Sequence, residues 1–289
     1  MSATRSAEKS PWLIGWQRLS RNRTAVAGMV MLAIILLACF GAPLFIDYQR
    51  DVVGVDFMHR LQFPAEGHLL GTDELGRDIL ARILWGGRTS LTIGIGSVLL
   101  AAVAGTLLGT LAAFYGGRAD SLLMRALDVL LAIPAMLLMI TFVTIMEPTK
   151  LNLMLAISVS FVPGMARLVR AQVLGTRGLE YVAAARAQGS GDFRIILKHV
   201  LPNALSPVIA SFVMNIPGSI MIISGLGFIG LGVQPPEPEW GSMLASGRDF
   251  IRDTWHITAL PGIAIVLTII AVTLVGDGLR DAMDSRMGD

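Results

Sequence analysis

The sequence predicts an all-α, polytopic membrane protein with six transmembrane helices and a polar helix on the cytoplasmic side. Two observations predict this. Hydrophobic residues make up 54% of the chain and charged residues 15%, with a mean hydropathy of +0.66, far from the balance of a soluble domain. The charges are also segregated. Asp, Glu, Lys and Arg are missing from 24–46, 89–117, 129–146, 151–166, 199–236 and 254–276, and about 20 apolar residues suffice to cross a bilayer as a helix.

The first run, 24–46, follows a basic N-terminus as a signal peptide would. It is too long for one and lacks a small-residue cleavage site, so it reads as an uncleaved span. Cys39 lies inside it and, as the single cysteine, excludes an internal disulfide. The polar stretch 47–88 reads as an outer loop. Its second half predicts a short amphipathic helix capped by Thr72 or Asp73, with Arg82 and Arg88 further on. The second span is rich in small residues, and Gly105-xxx-Gly109 permits close helix contact. The third, around 129–146, is short and is expected to begin near Ser121, with Asp128 inside it and Arg125 one turn away as its ion-pair partner. The fourth, 151–166, must extend toward Arg170. The run 199–236 is too long for one crossing. It reads as a helix over about 204–226 followed by a Gly-rich segment at membrane depth. The sixth span covers 254–276, with Asp277, Arg280 and Asp281 at its inner end. The expected organisation is a cytoplasmic segment 1–23, a first helix 24–46, an outer loop 47–88, a five-helix core 89–280 and a tail 281–289.

Six crossings put both termini on one side. With the N-terminus inside, the inner segments carry fifteen Lys and Arg against nine acids, and the outer segments eight against twelve. The bias obeys the positive-inside rule, so both termini and the segment 180–203 are expected in the cytoplasm.

That segment, EYVAAARAQGSGDFRIILKHVLPN, is basic and helix-favouring between two apolar runs. Ala183 to Ala187 suit a slim helix, and Gly189 and Gly191 permit a tight turn. Such an element reads as a handle for a soluble partner. Other motifs carry less. Gly225, Gly227 and Gly230 match G-x-G-x-x-G by letter, but no strand-turn-helix context surrounds them, so close backbone approach or a bend is the better reading. The chain has three lysines (Lys9, Lys150, Lys198), none in a phosphate-binding loop. No metal set and no paired nucleophile and base is legible, and the four histidines are scattered. An intramembrane charge is costly, which draws attention to Asp128. Pro134, Pro163 and Pro217 fall within expected spans, where they would bend helices around a cavity. These four residues are the expected translocation-pathway positions.

The residues now on the page resemble a known family. LLGTDELGRDILARILWGGRTSL (69–91), EYVAAARAQGSGDFRIILKHVLPNALSPV (180–208), GLGFIGLGVQPPEPEWGSML (225–244) and PGIAIVLTIIAVTLVGDGLRDAMDSRM (261–287) are similar to the C-type inner-membrane permease subunits of ABC importers for dipeptides, oligopeptides and nickel. The likeness runs from about 12 to 287. Ala184, Ala185 and Gly189 match the alanines and glycine of the family's E-A-A-x-x-x-G signature, and Leu201-Pro202 its final pair. Ala183 stands where the acid is usual; Glu180 lies one turn earlier. His199 replaces an isoleucine.

The resemblance implies a type I importer permease fold, with a coupling helix seated in a groove on an ATP-hydrolysing subunit. Glu180, Tyr181, Ala184, Ala185, Arg186, Gly189, Leu201 and Pro202 would form the coupling site. The implied partners are a second homologous permease, two ABC ATPase subunits, an extracytoplasmic substrate-binding protein and membrane lipid, without nucleic acid. ATP and Mg would sit on the ATPase subunits, leaving no cofactor, metal or catalytic residue on this chain. The implied location is the bacterial inner membrane and the implied cargo a peptide or related solute. A self-sufficient secondary carrier would need inverted repeats and intramembrane carboxylates, and an intramembrane enzyme a catalytic set. Neither is evident.

Overall fold

A computed structural model describes residues 17–283. Of the N-terminal segment expected at 1–23 and the tail expected at 281–289, residues 1–16 and 284–289 lie outside the described residues. The fold is helical, with no strand among the described residues.

Helix α1 is Arg23–Gly41, capped by Asn22, whose side chain accepts from the amides of Thr24 and Ala25. Helix α2 is Ile79–Tyr115. Its 37 residues make it about 55 Å long at 1.5 Å per residue. The separate surface helix expected near 72–88 is therefore absorbed into the second span, and the cap is Asp78, which accepts from the Ala81 amide at 2.8 Å. Thr72 and Asp73 do not cap it. The buried Asp73 carboxylate accepts from the Leu75 and Arg77 amides and pairs with Arg77 at 2.7 Å and Arg82 at 3.2 Å. It thereby pins the outer loop to the first turn of α2.

The third expected span is two helices, α3 (Gly117–Ala132) and α4 (Ala135–Ile145), bent by 89° at the break. Pro134 does not bend a continuous helix: it occupies the N-cap of α4, and Ile133 before it is extended. A proline disfavours helical geometry in the residue ahead of it. Helix α5 is Lys150–Arg177 and carries Pro163 without a break. The polar segment contains α6 (Glu180–Ala187) and the short α7 (Asp192–Ile195). A π-helical turn then leads into α8 (Leu201–Phe228). A loop and α9 (Trp240–Gly247) precede the last helix, α10 (His256–Met283). Among the described residues, five helices are long and apolar enough to cross a membrane, six if the bent pair is one crossing.

Helices α2, α5, α8 and α10 form the centre, with α1 laid on α10. The small residues of α2 decide the closeness of its contact with α5. A Cβ placed on Gly109 would lie 2.4 Å from the Ala166 carbonyl oxygen, and one on Gly105 2.6 Å from the Met165 Cβ. Of Gly225, Gly227 and Gly230, only Gly227 serves the same purpose, while Gly230 makes a turn at φ +83° and nothing lies within 4 Å of a Cβ on Gly225 or Gly230. A Cβ on Gly227 would lie 2.1 Å from Glu239 Oε2.

Candidate functional site

The segment 180–203 is a compact handle at one end of the bundle. Its helices are held by an apolar interior: Val182, Ala185, Ile195 and Val200 are buried with Ala113 and Phe114 of α2 and with Val169 and Val173 of α5. Gly189 adopts φ +79°, a left-handed turn that an L side chain resists, and the chain reverses there between α6 and α7. Arg186 lies 5.6 Å from the Phe114 ring centroid and 4.0 Å from the Asp192 carboxylate. Arg177, at the end of α5, donates to the Ala113 carbonyl and closes the end of α2. Asn203 donates to the Tyr181 hydroxyl at 3.0 Å and to the His199 carbonyl at 2.7 Å.

The expected coupling residues divide by orientation. Glu180, Tyr181, Ala184, Arg186, Gly189 and Pro202 are exposed and Leu201 is half-buried, whereas Ala185 is buried. The Ala185 side chain faces the bundle, so its smallness serves packing within the handle. Sequence reasoning passed over Leu179, Phe193 and Leu197, which stand 45%, 76% and 48% exposed around the same elbow. Apolar residues at the polar end of a membrane protein are the signal that could have found them.

The expected pathway residues are not brought together. Asp128 is exposed and pairs with Arg167 of α5, not with Arg125. A pair three residues apart on one helix contributes only about 0.2–0.5 kcal/mol, so it does not hold Asp128 against a guanidinium that reaches it from α5. Pro163 is buried, Pro217 is half-buried and Pro134 sits at the elbow. A recess of about 780 Å³ opens instead between α5, α8 and α10, lined by Ser160, Ser206, Ser211 and Asn215 with Met214 and the charged Arg280. Its hydroxyls and amide are neutral donors and acceptors, and methionines adapt to varied shapes.

At the opposite end, Glu239 caps α9. Its oxygens accept from the Gly241 and Ser242 amides and from the Ser90 hydroxyl of α2, each within 2.9 Å. No cation pairs with it among the described residues, and burial pushes its carboxyl above the ordinary range. Lys150 pairs with Glu237 nearby, and Thr89 donates to Glu237 at 2.9 Å. These contacts tie α2, α5 and the loop before α9 together. Among the described residues no cluster of three or more His, Cys, Asp or Glu could hold a metal.

Residues 105–289 match the family described as "Binding-protein-dependent transport system inner membrane component", and residues 10–64 match the "N-terminal TM domain of oligopeptide transport permease C". A di/tripeptide transport system permease protein of Pseudomonas aeruginosa is 41% identical over 282 residues, covering 96% of this chain and 93% of that protein. A glutathione transport system permease protein of Pectobacterium atrosepticum is 40% identical over 279 residues, covering 96% and 92%. Among solved structures, a chain of the inward-facing MetNI methionine ABC transporter superposes with a TM-score of 0.56 at 18% identity, over 70% of this chain and 96% of that one. That likeness concerns the fold.

Proposed function

The chain belongs to the family of binding-protein-dependent transport system inner membrane components, and from that membership we propose that it forms half of a peptide translocation pathway whose handle at 180–203 is driven by a separate ATPase. It is a non-enzymatic, multi-pass transport subunit of an ABC importer of the bacterial inner membrane, and the family works with an ATPase and a substrate-binding protein.

The observation that carries the coupling reading is the handle itself. It is anchored inside by Val182, Ala185, Ile195 and Val200 yet leaves Leu179, Tyr181, Phe193 and Leu197 uncovered. An element rigidly joined to α2 and α5, with an apolar outer face, can transmit a push from whatever grips it. Aromatic anchors surrounded by polar residues are the usual centre of a protein interface. Closure of two nucleotide-binding subunits on ATP would draw two such handles together and rock the helices. The bias of basic residues supports a cytoplasmic handle and cytoplasmic termini. A second, homologous permease completes the assembly, ATP and Mg reside on the two ATPase subunits, and an extracytoplasmic protein delivers the cargo.

Peptides or related small solutes are the proposed cargo. Support comes from the names of the relatives and from the recess between α5, α8 and α10, whose hydroxyls and amide suit backbone amides and whose Arg280 suits a carboxylate. The test is reconstitution. The chain, with its partner permease, ATPases and binding protein in proteoliposomes, is expected to take up a labelled tripeptide only when ATP is supplied. Uptake by this chain alone, driven by an ion gradient, would overturn the proposal in favour of a secondary carrier.

A further inference from the structure

We propose that the ion pairs Asp120–Arg170 and Asp128–Arg167 clasp α3 to α5, so that motion of the handle is passed to the elbow at Ile133–Pro134. The proposal rests on the coupling role of the handle, and it names Asp120, Asp128, Arg167 and Arg170 as positioning residues.

Helix α3 is loosely attached by other means. Leu127 is its one buried residue, set against Ala101, Val162 and Ala166 with Met124 and Leu130 partly buried beside it, while Leu122, Val129 and Leu131 are exposed. Neither end continues straight into its neighbour. It joins α2 through Gly116 and Gly117, both at positive φ (66° and 56°), and it meets α4 at the 89° break. A rod jointed at both ends takes its orientation from whatever grips its middle.

The grip comes from α5. Arg170 Nε donates to Asp120 Oδ1 at 2.6 Å and Nη2 to Oδ2 at 2.7 Å. This fork fixes angle as well as distance, and both side chains are partly shielded, at 35% and 19% exposed. Arg167 Nη2 donates to Asp128 nearer the elbow. That pair is more than half exposed and is weak alone, but it supplies a second point along the rod. Two points along one helix resist both sliding and rotation.

The order of the chain completes the argument. Helix α5 runs unbroken from Lys150 to Arg177, and the handle begins at Glu180. A displaced handle therefore moves α5 first. The clasp makes α3 follow, and the elbow absorbs the difference between α3 and α4. Without the clasp, α5 would move and α3 would lag on its glycine joint.

The experiment uses the whole importer, with its ATPases and binding protein, in proteoliposomes. Asp120→Asn is expected to raise several-fold the ATP hydrolysed per tripeptide taken up, and the exchanged pair Asp120→Arg with Arg170→Asp to bring the ratio back down. An unchanged ratio, with both rates falling in proportion, would mean that the pair only supports the fold, and would overturn the proposal. Spin labels at Ser121 and Gly175 in the otherwise unaltered chain give an independent reading. Their separation should stay constant between nucleotide-free and ATP-bound states, and a separation that opens on ATP would overturn the clasp. Absence of ATP-driven uptake by the unaltered assembly would count against the coupling role instead, and the label distances would still decide the clasp.

Discussion

Ser90 of α2 donates to the buried carboxylate of Glu239 at 2.9 Å, joining positions 149 apart in sequence. The same carboxylate caps α9 and closes on Gly227 of α8, so one side chain holds three helices in register. Glu239→Ala would orphan a buried hydroxyl and two helix-end amides, at about 1–3 kcal/mol for each unmet group. The expected outcome is a large drop in thermal stability of purified protein in detergent. A melting temperature within two or three degrees of the parent would show that the junction does not depend on this group.

Glu239 also predicts a pH dependence. Burial raises its carboxyl above the ordinary 4.5, so the folded chain keeps a proton that the unfolded chain gives up. The contribution to stability is full below the unfolded value and is lost as pH rises through the folded one. Glu239→Gln cannot ionise. Its melting temperature should therefore vary less with pH above about 4.5 than that of the parent. Parallel profiles for the two proteins would remove Glu239 as the source.

Gly109 lies against the backbone of α5, where a Cβ would meet the Ala166 oxygen at 2.4 Å. None of its three neighbours, the Ala166 oxygen, the Val169 Cβ and the Arg170 nitrogen, is a flexible side-chain end, so the helices must part. Gly109→Ala should cost about 1–3 kcal/mol, as overpacking does, and Gly109→Leu should leave little folded protein. Equal yields of parent and Leu variant on size-exclusion chromatography would contradict the contact.

The handle predicts a difference between its two sides. Phe193→Ala removes an exposed ring and should leave the melting temperature alone, and Tyr181→Ala, which also gives up the Asn203 hydrogen bond, should lower it only slightly, while both weaken capture of the ATPase, by about 30-fold if either is a hot spot of 2 kcal/mol. Ala185→Arg forces a cation into the interior of the handle and should unfold it locally, so it reports on packing. Gly189→Asp should uncouple transport with insertion intact: no atom lies within 4 Å of the added Cβ, and the left-handed turn alone costs about 1–2 kcal/mol. Tight ATPase binding by the Tyr181 and Phe193 variants together would sink the interface.

Asp73 binds two guanidinium groups, those of Arg77 and Arg82, below the protein surface. Arg82 also donates to the Val52 carbonyl at 2.8 Å. Removing one member of a buried ionic group leaves charge uncompensated, at about 3–5 kcal/mol. Asp73→Asn should therefore loosen the outer loop, seen as faster proteolysis between 47 and 78. Unchanged cleavage would assign the loop's order to other contacts.

Much of this protein is legible in one dimension. Charge-free runs mark the membrane helices because a bilayer admits few unpaired charges, and the lopsided basic residues suggest which end faces inward. The Ala and Gly pattern at 183–191 reveals a slim helix and a turn because those are backbone properties. Tertiary structure alone decided the rest. Arg125 is nearer to Asp128 in sequence, but Arg167 reaches it from a neighbouring helix. Asp73 has the composition of a cap and became an anchor once Asp78 took the helix start. Ala185 and Ala184 are the same residue type one position apart, and only the packing of Val169 and Val173 on one face makes the first inner and the second outer. Local chemistry determines which segments become helices. Which side chains meet depends on the rotation and depth of each helix against its neighbours, and no single stretch of sequence contains that information.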